Sequence, residues 1–245
     1  HAPGAPTLLQ PANPQPGLRW TNPADGSEYV YVGGGKFTMG ADKAQTTFTK
    51  ERPAHGQEVG ALWVKMTEVT NGEYGKCVSA GVCSMPNQEG WQASEKSDYA
   101  VSHVTWAQAM TYAQWVGGRL PSEAEWEHTC RSNENRTYPW GEEEPSAKSA
   151  DYNTFDGGVE VGSYPVGASA DGVLDLSGNV AEWTSSLDKP YPYNAADGRE
   201  DPTAPGKRVA RGGSFNYSQY QLRCFSRLYV TASSANEDLG FRVVI

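Results

Sequence analysis

Regular hydrophobic periodicity disappears over a long stretch of this chain, from about residue 130 to about residue 210. Turn-forming sequences interrupt the stretch at residues 138–141 (Tyr-Pro-Trp-Gly), 157–158 (Gly-Gly) and 191–193 (Tyr-Pro-Tyr). Loops this long are uncommon in compact domains, so they must be held by ions, disulfides or buried aromatic side chains. The chain supplies 8 Trp and 13 Tyr among 245 residues. We therefore expect a globular fold with much irregular coil, packed largely by aromatic side chains.

Three helices are predicted from their first residues. Thr70, Thr105 and Ser122 are each followed three positions later by Glu or Gln. This is the capping-box arrangement, which satisfies free backbone N–H groups at a helix start. The second helix is the longest and ends at Gly117-Gly118. Its apolar face is typical of core packing rather than of a cofactor site.

Strand-like sequences lie on both sides of the helices. They span residues 28–32, 36–40, 61–66, 211–215 and 239–244, and the last two would close a sheet. The proline-rich segment 1–25 is predicted to be an extended lead-in. Neither an internal repeat nor a linker divides the remainder, so residues 26–245 are predicted to form a single domain.

Composition excludes two classes of partner. The formal net charge is −9, and no basic stripe is present to meet phosphate groups, so we expect no nucleic-acid partner. No apolar run approaches the roughly 18 residues of a membrane helix, so no membrane span is expected. The chain starts at His1 without a basic-then-apolar leader. A signal peptide would already be removed, or was never present.

The four cysteines are Cys77, Cys83, Cys130 and Cys224. None forms a Cys-x-x-Cys pair, which disfavours a zinc site. An even number compatible with two disulfides indicates an oxidising compartment, and hence an extracellular or cell-surface location. Cys77 and Cys83 flank a loop short enough for a local bridge; the alternative is two unrelated buried thiols.

Residues 174–184 combine two acids, an amide, a glycine and a tryptophan. Asp175 and Glu182 offer carboxylate oxygens, with backbone carbonyls between them. Calcium takes six to eight oxygen ligands of this kind. The alternative is an Asx-type turn closed by a buried tryptophan. The spacing does not choose between the two.

Seven sequence blocks then follow one another in a recognisable order. They are Phe37-Thr-Met-Gly40, Thr67-Glu-Val-Thr-Asn71, Arg119-Leu-Pro-Ser-Glu-Ala-Glu-Trp-Glu127, Tyr138-Pro-Trp-Gly141, Gly178-Asn-Val-Ala-Glu-Trp183, Arg211-Gly-Gly-Ser214 and Leu239-Gly-Phe-Arg242. From about residue 26 to its end, the chain resembles the formylglycine-generating enzyme (sulfatase-modifying factor) family. The resemblance implies an α+β, C-type-lectin-like fold: a twisted antiparallel sheet, a few helices and much irregular coil.

The resemblance also implies metal ligands and a disulfide. A structural calcium would be bound by Asp175, the carbonyls of Gly178 and Val180, and Glu182. A second family calcium site would fall near Asp151 and Tyr152. The family's disulfide would join Cys130 to Cys224. Closing a loop of that length stabilises by about 4 to 5 kcal/mol in the chain-entropy description, which is disputed.

The sequence departs from the family where the oxidase chemistry resides. The two cysteines that hold copper and attack the substrate in the family correspond here to Tyr217 and Leu222. Neither is a thiolate or a soft copper ligand, so no copper is expected. Ser214 matches a residue of the family's site, but it lacks a His or Lys base in the motif and is interpreted as a strand-end hydroxyl. We therefore predict that this chain is not the oxidase, and no catalytic residue is assigned.

Histidine chemistry is disfavoured as well. Iron-dependent sulfoxide synthases on this fold need a three-histidine site. The histidines here are His1, His55, His103 and His128, and none belongs to a His-rich metal motif. His1 is at the terminus, and we expect His103, just before the second helix, and His128, within the third, to be structural.

The segment 215–238 is rich in Tyr, Ser, Asn and bulky apolar residues, a composition typical of binding surfaces. It resembles the variable region of diversity-generating retroelement target proteins, a branch of the same fold. We predict a non-catalytic ligand-binding domain, specifically a hypervariable display protein, whose partner is a protein or another surface ligand. The candidate contact residues are Asn216, Tyr217, Ser218, Tyr220, Gln221, Phe225, Ser226, Leu228, Tyr229 and Val230. The alternatives are an enzyme of this family with changed chemistry, a structural surface domain, or an ordinary strand and turn.

Overall fold

The computed structural model describes residues 10–245. In this part of the chain, short strands surround three helices, and most of the remainder is coil. The elements, in chain order, are β1 (Arg19–Thr21), β2 (Glu28–Val32), β3 (Gly35–Met39), β4 (His55–Val59), β5 (Leu62–Lys65), α1 (Asn71–Ser79), α2 (Trp106–Trp115), α3 (Glu123–Arg131), β6 (Ala181–Leu187), β7 (Lys207–Arg211), β8 (Leu228–Thr231) and β9 (Leu239–Gly240).

The predicted α+β architecture is confirmed, with the strands divided among three small sheets. Strand order is β1-β2-β5 in the first sheet, β3-β4 in the second and β8-β7-β6-β9 in the third. Neighbouring strands are antiparallel except for β6 and β9, which pair in parallel. Strand β8 is therefore an edge strand with one free side.

All three capping boxes are present as predicted. The backbone N–H of Glu73 donates to the Thr70 hydroxyl at 3.2 Å, and the same bond starts α2 at 3.3 Å and α3 at 3.2 Å. In each box the third residue's side chain also accepts from the cap backbone. Each cap contributes about 1 kcal/mol, which matters for helices of nine or ten residues.

The strands predicted over 28–32, 36–40 and 61–66 are present, with bounds that differ by at most one residue, whereas the two C-terminal strand predictions fail wholly or in part. Strand β7 ends at Arg211, so the predicted strand over 211–215 is wrong. Gly212 and Gly213 have φ of +92° and +69°, the left-handed region that favours glycine. Strand β9 covers only Leu239–Gly240 of the predicted 239–244.

Strand β1 lies inside the segment predicted as an extended lead-in. Its residues pair with β2, with Arg19 opposite Val30. The first nine residues of that segment lie outside the described residues.

Both disulfides form as predicted. Cys77 bonds to Cys83 with an S–S distance of 2.03 Å, and Cys130 bonds to Cys224 at 2.01 Å. The second bridge fixes α3 to the C-terminal segment across 94 positions of sequence. Two disulfides fit an oxidising environment. No helix within residues 10–245 is long and apolar enough to cross a bilayer.

Helix α3 carries two fully buried carboxylates. Arg211 donates through Nη2 to Glu123 at 2.7 Å and to Glu127 at 2.8 Å. All three side chains have no exposed area. The Tyr191 hydroxyl, also buried, accepts a bond from Arg211 at 2.8 Å. The helix is therefore tied to β7 by charges that are shielded from water.

Replacing Arg211 by Met should strongly destabilise the domain. The substitution leaves Glu123 and Glu127 buried without this cation, a situation that costs about 3 to 5 kcal/mol. Chemical denaturation would measure the loss. Arg119→Met is the matched control, because Arg119 pairs with Glu125 at 2.6 Å while its side chain is 50% exposed. Such exposed pairs contribute about 0 to 1 kcal/mol. Equal losses in the two variants would contradict this account.

Candidate binding surface

Eight of the ten candidate contact residues occupy two stretches of the structure, separated by a buried segment that contains Phe225 and Ser226. Asn216 and Tyr217 are half-buried, and Ser218 and Tyr220 are exposed in a turn that follows β7. Gln221 is also half-buried. Leu228, Tyr229 and Val230 are half-buried residues of the edge strand β8.

Phe225 and Ser226 do not share that surface. They are 1% and 3% exposed, because the segment 222–227 passes beneath the turn and is fixed there by the Cys130–Cys224 bridge. The Ser226 hydroxyl donates to Glu51 at 3.2 Å. Phe225 is therefore corrected as a contact residue, since its buried side chain presents no contact area, whereas Ser226 contributes only to the wall of a cavity beside Leu228 and Tyr229. The other eight residues stay a prediction as ligand contacts.

One loop from the N-terminal half flanks this surface. Arg223 donates to the carbonyl of Gln45 at 3.1 Å, and Arg227 donates to the carbonyl of Lys50 at 2.8 Å. The loop carries Phe48, which is 50% exposed. The Lys50 ammonium lies 3.6 Å from the centre of the Tyr229 ring.

A second loop flanks it on the side of Tyr217. The backbone N–H of Asn153 donates to the carbonyl of Tyr217 at 3.0 Å, and that of Thr154 donates to Phe215. The next residue, Phe155, is 67% exposed. Phe48, Lys50 and Phe155 are absent from the sequence prediction. The available signal was a single phenylalanine in each of two polar stretches, Thr-Thr-Phe-Thr-Lys and Asn-Thr-Phe-Asp-Gly.

The positions that carry thiols in the family differ from each other in exposure. Tyr217 is half-buried, and burial together with the nearby Asp238 carboxylate raises the pKa of its phenol. Leu222 has no exposed area. Ser214 donates its hydroxyl proton to Asp238 at 3.0 Å and accepts from the backbone N–H of Asn216 at 3.2 Å. Its hydroxyl thus closes a turn, consistent with the structural role expected for it.

The side chains of His55 and His128 make structural contacts. His55 bonds through Nδ1 to the carbonyl of Pro53 at 2.9 Å and accepts at Nε2 from the backbone of Tyr193. His128 packs edge-on against Phe37, and burial lowers its pKa. Among residues 10–245, no three His, Cys, Asp or Glu side chains are grouped as metal ligands.

The predicted calcium loop holds an ion pair. Glu182 accepts from Arg242 through both carboxylate oxygens, each at 2.6 Å. The Trp126 indole N–H also donates to Glu182, at 2.8 Å. Asp175 accepts from the backbone N–H of Gly162 at 2.6 Å. A calcium ion bound by Asp175, Gly178, Val180 and Glu182 would have to share Glu182 with Arg242, and this site stays a prediction.

Two nearby carboxylate oxygens lack a hydrogen-bond partner. They are Oε2 of Glu68 and Oδ2 of Asp151, and both are buried. Burial, and then the Asp175 carboxylate, hold the pKa of Glu68 well above its usual range. Burial likewise raises the pKa of Asp175 and of Asp151. Either a proton or a cation would satisfy each free oxygen.

The raised pKa of Glu68 predicts a pH-dependent stability in the presence of a chelator. The folded protein holds this proton more tightly than the unfolded chain does. Stability should therefore fall as pH rises from the ordinary pKa of Glu through the raised one. Glu68→Gln removes the ionisation and should flatten the fall, which denaturation at pH 4.5 and pH 7.5 would measure. Glu58→Gln, a substitution at an exposed position, is the control. An unchanged slope in Glu68→Gln would contradict the assignment.

Comparison with known proteins identifies the family. The sulfatase-modifying factor enzyme 1-like domain matches residues 16–245. The chain is 32% identical to the hercynine oxygenase of Mycolicibacterium smegmatis over 89% of its own length, and it spans 60% of that protein.

Solved structures agree with this result. PvdO from Pseudomonas aeruginosa superposes with a TM-score of 0.76 at 25% identity, over 94% of this chain and 98% of PvdO. The Treponema denticola variable protein 1 superposes with a TM-score of 0.72 at 18% identity, over 93% and 98% of the two chains, a likeness of fold alone. With the family match over residues 16–245, these findings show that the chain belongs to the sulfatase-modifying factor (formylglycine-generating enzyme) family.

Proposed function

We propose that this chain is a non-catalytic ligand-binding domain that holds a partner protein on the surface described above. The observation that supports this most is that three aromatic rings there, those of Phe48, Tyr220 and Tyr229, lie against cationic side chains. Arg223 lies about equally far from the rings of Phe48 and Tyr220, at 5.9 and 6.0 Å. Lys50, from the same loop as Phe48, places its ammonium 3.6 Å from the centre of the Tyr229 ring. Aromatic side chains bury large areas at low entropic cost and dominate binding energy at interfaces.

The support beneath this surface favours binding. Arg223, Cys224 and Arg227 are buried and bonded to the rest of the fold, whereas Ser218 and Tyr220 above them are exposed. A surface held on a rigid frame loses less conformational freedom when a partner binds. The same separation supports the finer proposal of a hypervariable display protein, because exposed positions can change without disturbing buried contacts.

That finer proposal has its own observable. A display protein diversified by a retroelement would be encoded beside a reverse transcriptase gene and a near-copy of the segment coding for residues 211–245. Both would then lie in its gene neighbourhood. We also propose an extracellular or cell-surface location, which the two disulfides favour.

Joint substitution of Tyr217, Tyr220 and Tyr229 by Ala should abolish partner binding without unfolding the domain. Loss of one central aromatic contact costs about 2 kcal/mol, or roughly 30-fold in affinity. A partner purified on the wild-type domain would be titrated against each variant by biolayer interferometry. Val82→Ala is the control, because Val82 is 49% exposed and lies outside this surface.

Two outcomes would overturn the proposal. One is unchanged affinity in the triple variant. The other is turnover of a substrate that disappears in Ser214→Ala, which would favour an enzyme of this family with changed chemistry. The similarity of this chain to a hercynine oxygenase is the observation that favours this alternative. We expect no oxygen consumption with copper and a cysteine-containing sulfatase peptide.

We further propose that calcium is the structural ion near the loop 174–184, where it would satisfy the free Oε2 of Glu68 beside the Asp175 carboxylate. Calcium should then raise the melting temperature at pH 7.5 by several degrees, and a chelator should reverse the rise. Asp175→Asn should weaken this response, whereas Asp201→Asn should keep it, since Asp201 is exposed. A melting temperature unaffected by calcium would leave Arg242 as the only counter-charge of Glu182.

A further inference from the structure

A cavity of about 180 Å³ opens on the proposed binding surface. It lies between the loop that carries Phe48 and the first residues of β8. Phe48, Leu228 and Tyr229 contribute apolar walls, and Lys50, Glu51 and Arg227 contribute charged ones. Because Phe48 is half exposed and Tyr229 half-buried, the cavity is open to a partner.

The negative charge in the cavity wall is already satisfied. Glu51 accepts from the hydroxyls of Thr46 at 2.5 Å and Ser226 at 3.2 Å. It also pairs with Arg223 at 3.3 Å. A cationic ligand would therefore compete with bonds that the fold makes for itself.

The positive charges are paired too. Arg227 contacts Glu123 through Nη2 at 3.0 Å and gives further protons to backbone carbonyls. Lys50 pairs with Asp188 at 2.9 Å. An anion would have to break these pairs, so the cavity suits a neutral group.

Size allows an aromatic group. A closed apolar cavity of roughly 150 Å³ accommodates benzene, so this open cavity of about 180 Å³, with Phe48, Leu228 and Tyr229 in its wall, has room for one ring. Rings that enter between Phe48 and Tyr229 meet aromatic partners, which prefer tilted or offset contacts. The Lys50 ammonium at the rim, 3.6 Å from the Tyr229 ring centre, also favours the face of a second ring.

We infer that this cavity receives one neutral aromatic side chain of a protein partner, which anchors the partner on the binding surface. The inference rests on the proposed function for the nature of the partner. The inference adds Phe48 to the binding surface as a contact residue, because Phe48 forms one wall of the cavity and lies outside the segment 215–238. Tyr220 belongs to the same surface but does not line this cavity.

The test uses small probes and needs no partner. N-acetyl-L-phenylalaninamide would be titrated into the ¹⁵N-labelled domain, with N-acetyl-L-leucinamide as the aliphatic probe. We expect saturable amide shifts at residues 48–51 and 226–229, with a dissociation constant on the order of a millimolar for a ligand of this size. The leucine probe should bind at least about fivefold more weakly.

Variants assign the site. Phe48→Ala should weaken binding of the phenyl probe about tenfold. If alanine destabilises the loop, Phe48→Leu is the second variant, because it keeps the bulk of the side chain but removes the ring. Val82→Ala should bind as the wild type does, because Val82 is exposed and does not line the cavity. The inference fails if the shifts do not saturate, if they map elsewhere, if both probes bind equally, or if both Phe48 variants bind normally.

Its failure is distinguishable from failure of the proposed function. A domain that holds its partner through the three tyrosines but ignores the phenyl probe keeps the function and loses the anchor. A domain that binds the probe while the triple variant still holds its partner keeps the cavity and loses the proposed surface.

Discussion

The fold depends on a buried ionic cluster at the start of α3. Glu123 and Glu127 have no exposed area, and Arg211 from β7 and Arg227 from the segment before β8 converge on them. A buried ion pair contributes little net stability, since desolvation opposes the attraction. Its effect is on specificity, because any other arrangement of these elements leaves charges unpaired in the interior. The cluster thereby fixes the register of α3 against the third sheet.

Arginine also explains how so much irregular coil remains ordered. Arg208 donates to the carbonyls of Ser185, Asp201 and Ala204, and Arg242 donates to those of Lys65 and Leu174. A buried loop exposes carbonyls that no helix or sheet satisfies, and each left unpaired would cost about 1 to 3 kcal/mol. A guanidinium carries five donors and can satisfy several carbonyls from different loops. Arginine side chains, which the sequence alone would place on the surface of a chain of net charge −9, therefore stabilise its interior.

This role of arginine marks the limit of what the sequence could predict. The capping boxes are local, so Thr70, Thr105 and Ser122 gave the helix starts correctly. The sequence predicts a strand over 211–215, whereas Gly212 and Gly213 have positive φ. This conformation depends on a contact outside that segment, because a Cβ on Gly213 would lie 3.0 Å from the carbonyl oxygen of Gln221. The family resemblance supplied the fold and the Cys130–Cys224 pairing, which spacing alone could not.

The sequence likewise predicted only part of the candidate binding surface. The composition of 215–238 predicted exposed tyrosines, and Tyr220 is exposed, but composition cannot tell that Phe225 and Ser226 pass beneath the turn. Their burial follows from long-range bonds, such as that of Ser226 to Glu51. Phe48 and Phe155 were missed because they reach the surface from loops far away in sequence.

These observations together connect the interior to the binding surface. Arg227 contacts Glu123 on one side and the carbonyl of Lys50 on the other, so a single side chain joins the ionic cluster to the loop that carries Phe48. The loop therefore takes its position from α3. A surface built in this way can present different side chains at positions such as 218 and 220, which do not line the cavity, without disturbing the buried bonds beneath them. Phe48 lies outside the segment 215–238, so one wall of the cavity would stay the same while exposed positions of that segment change.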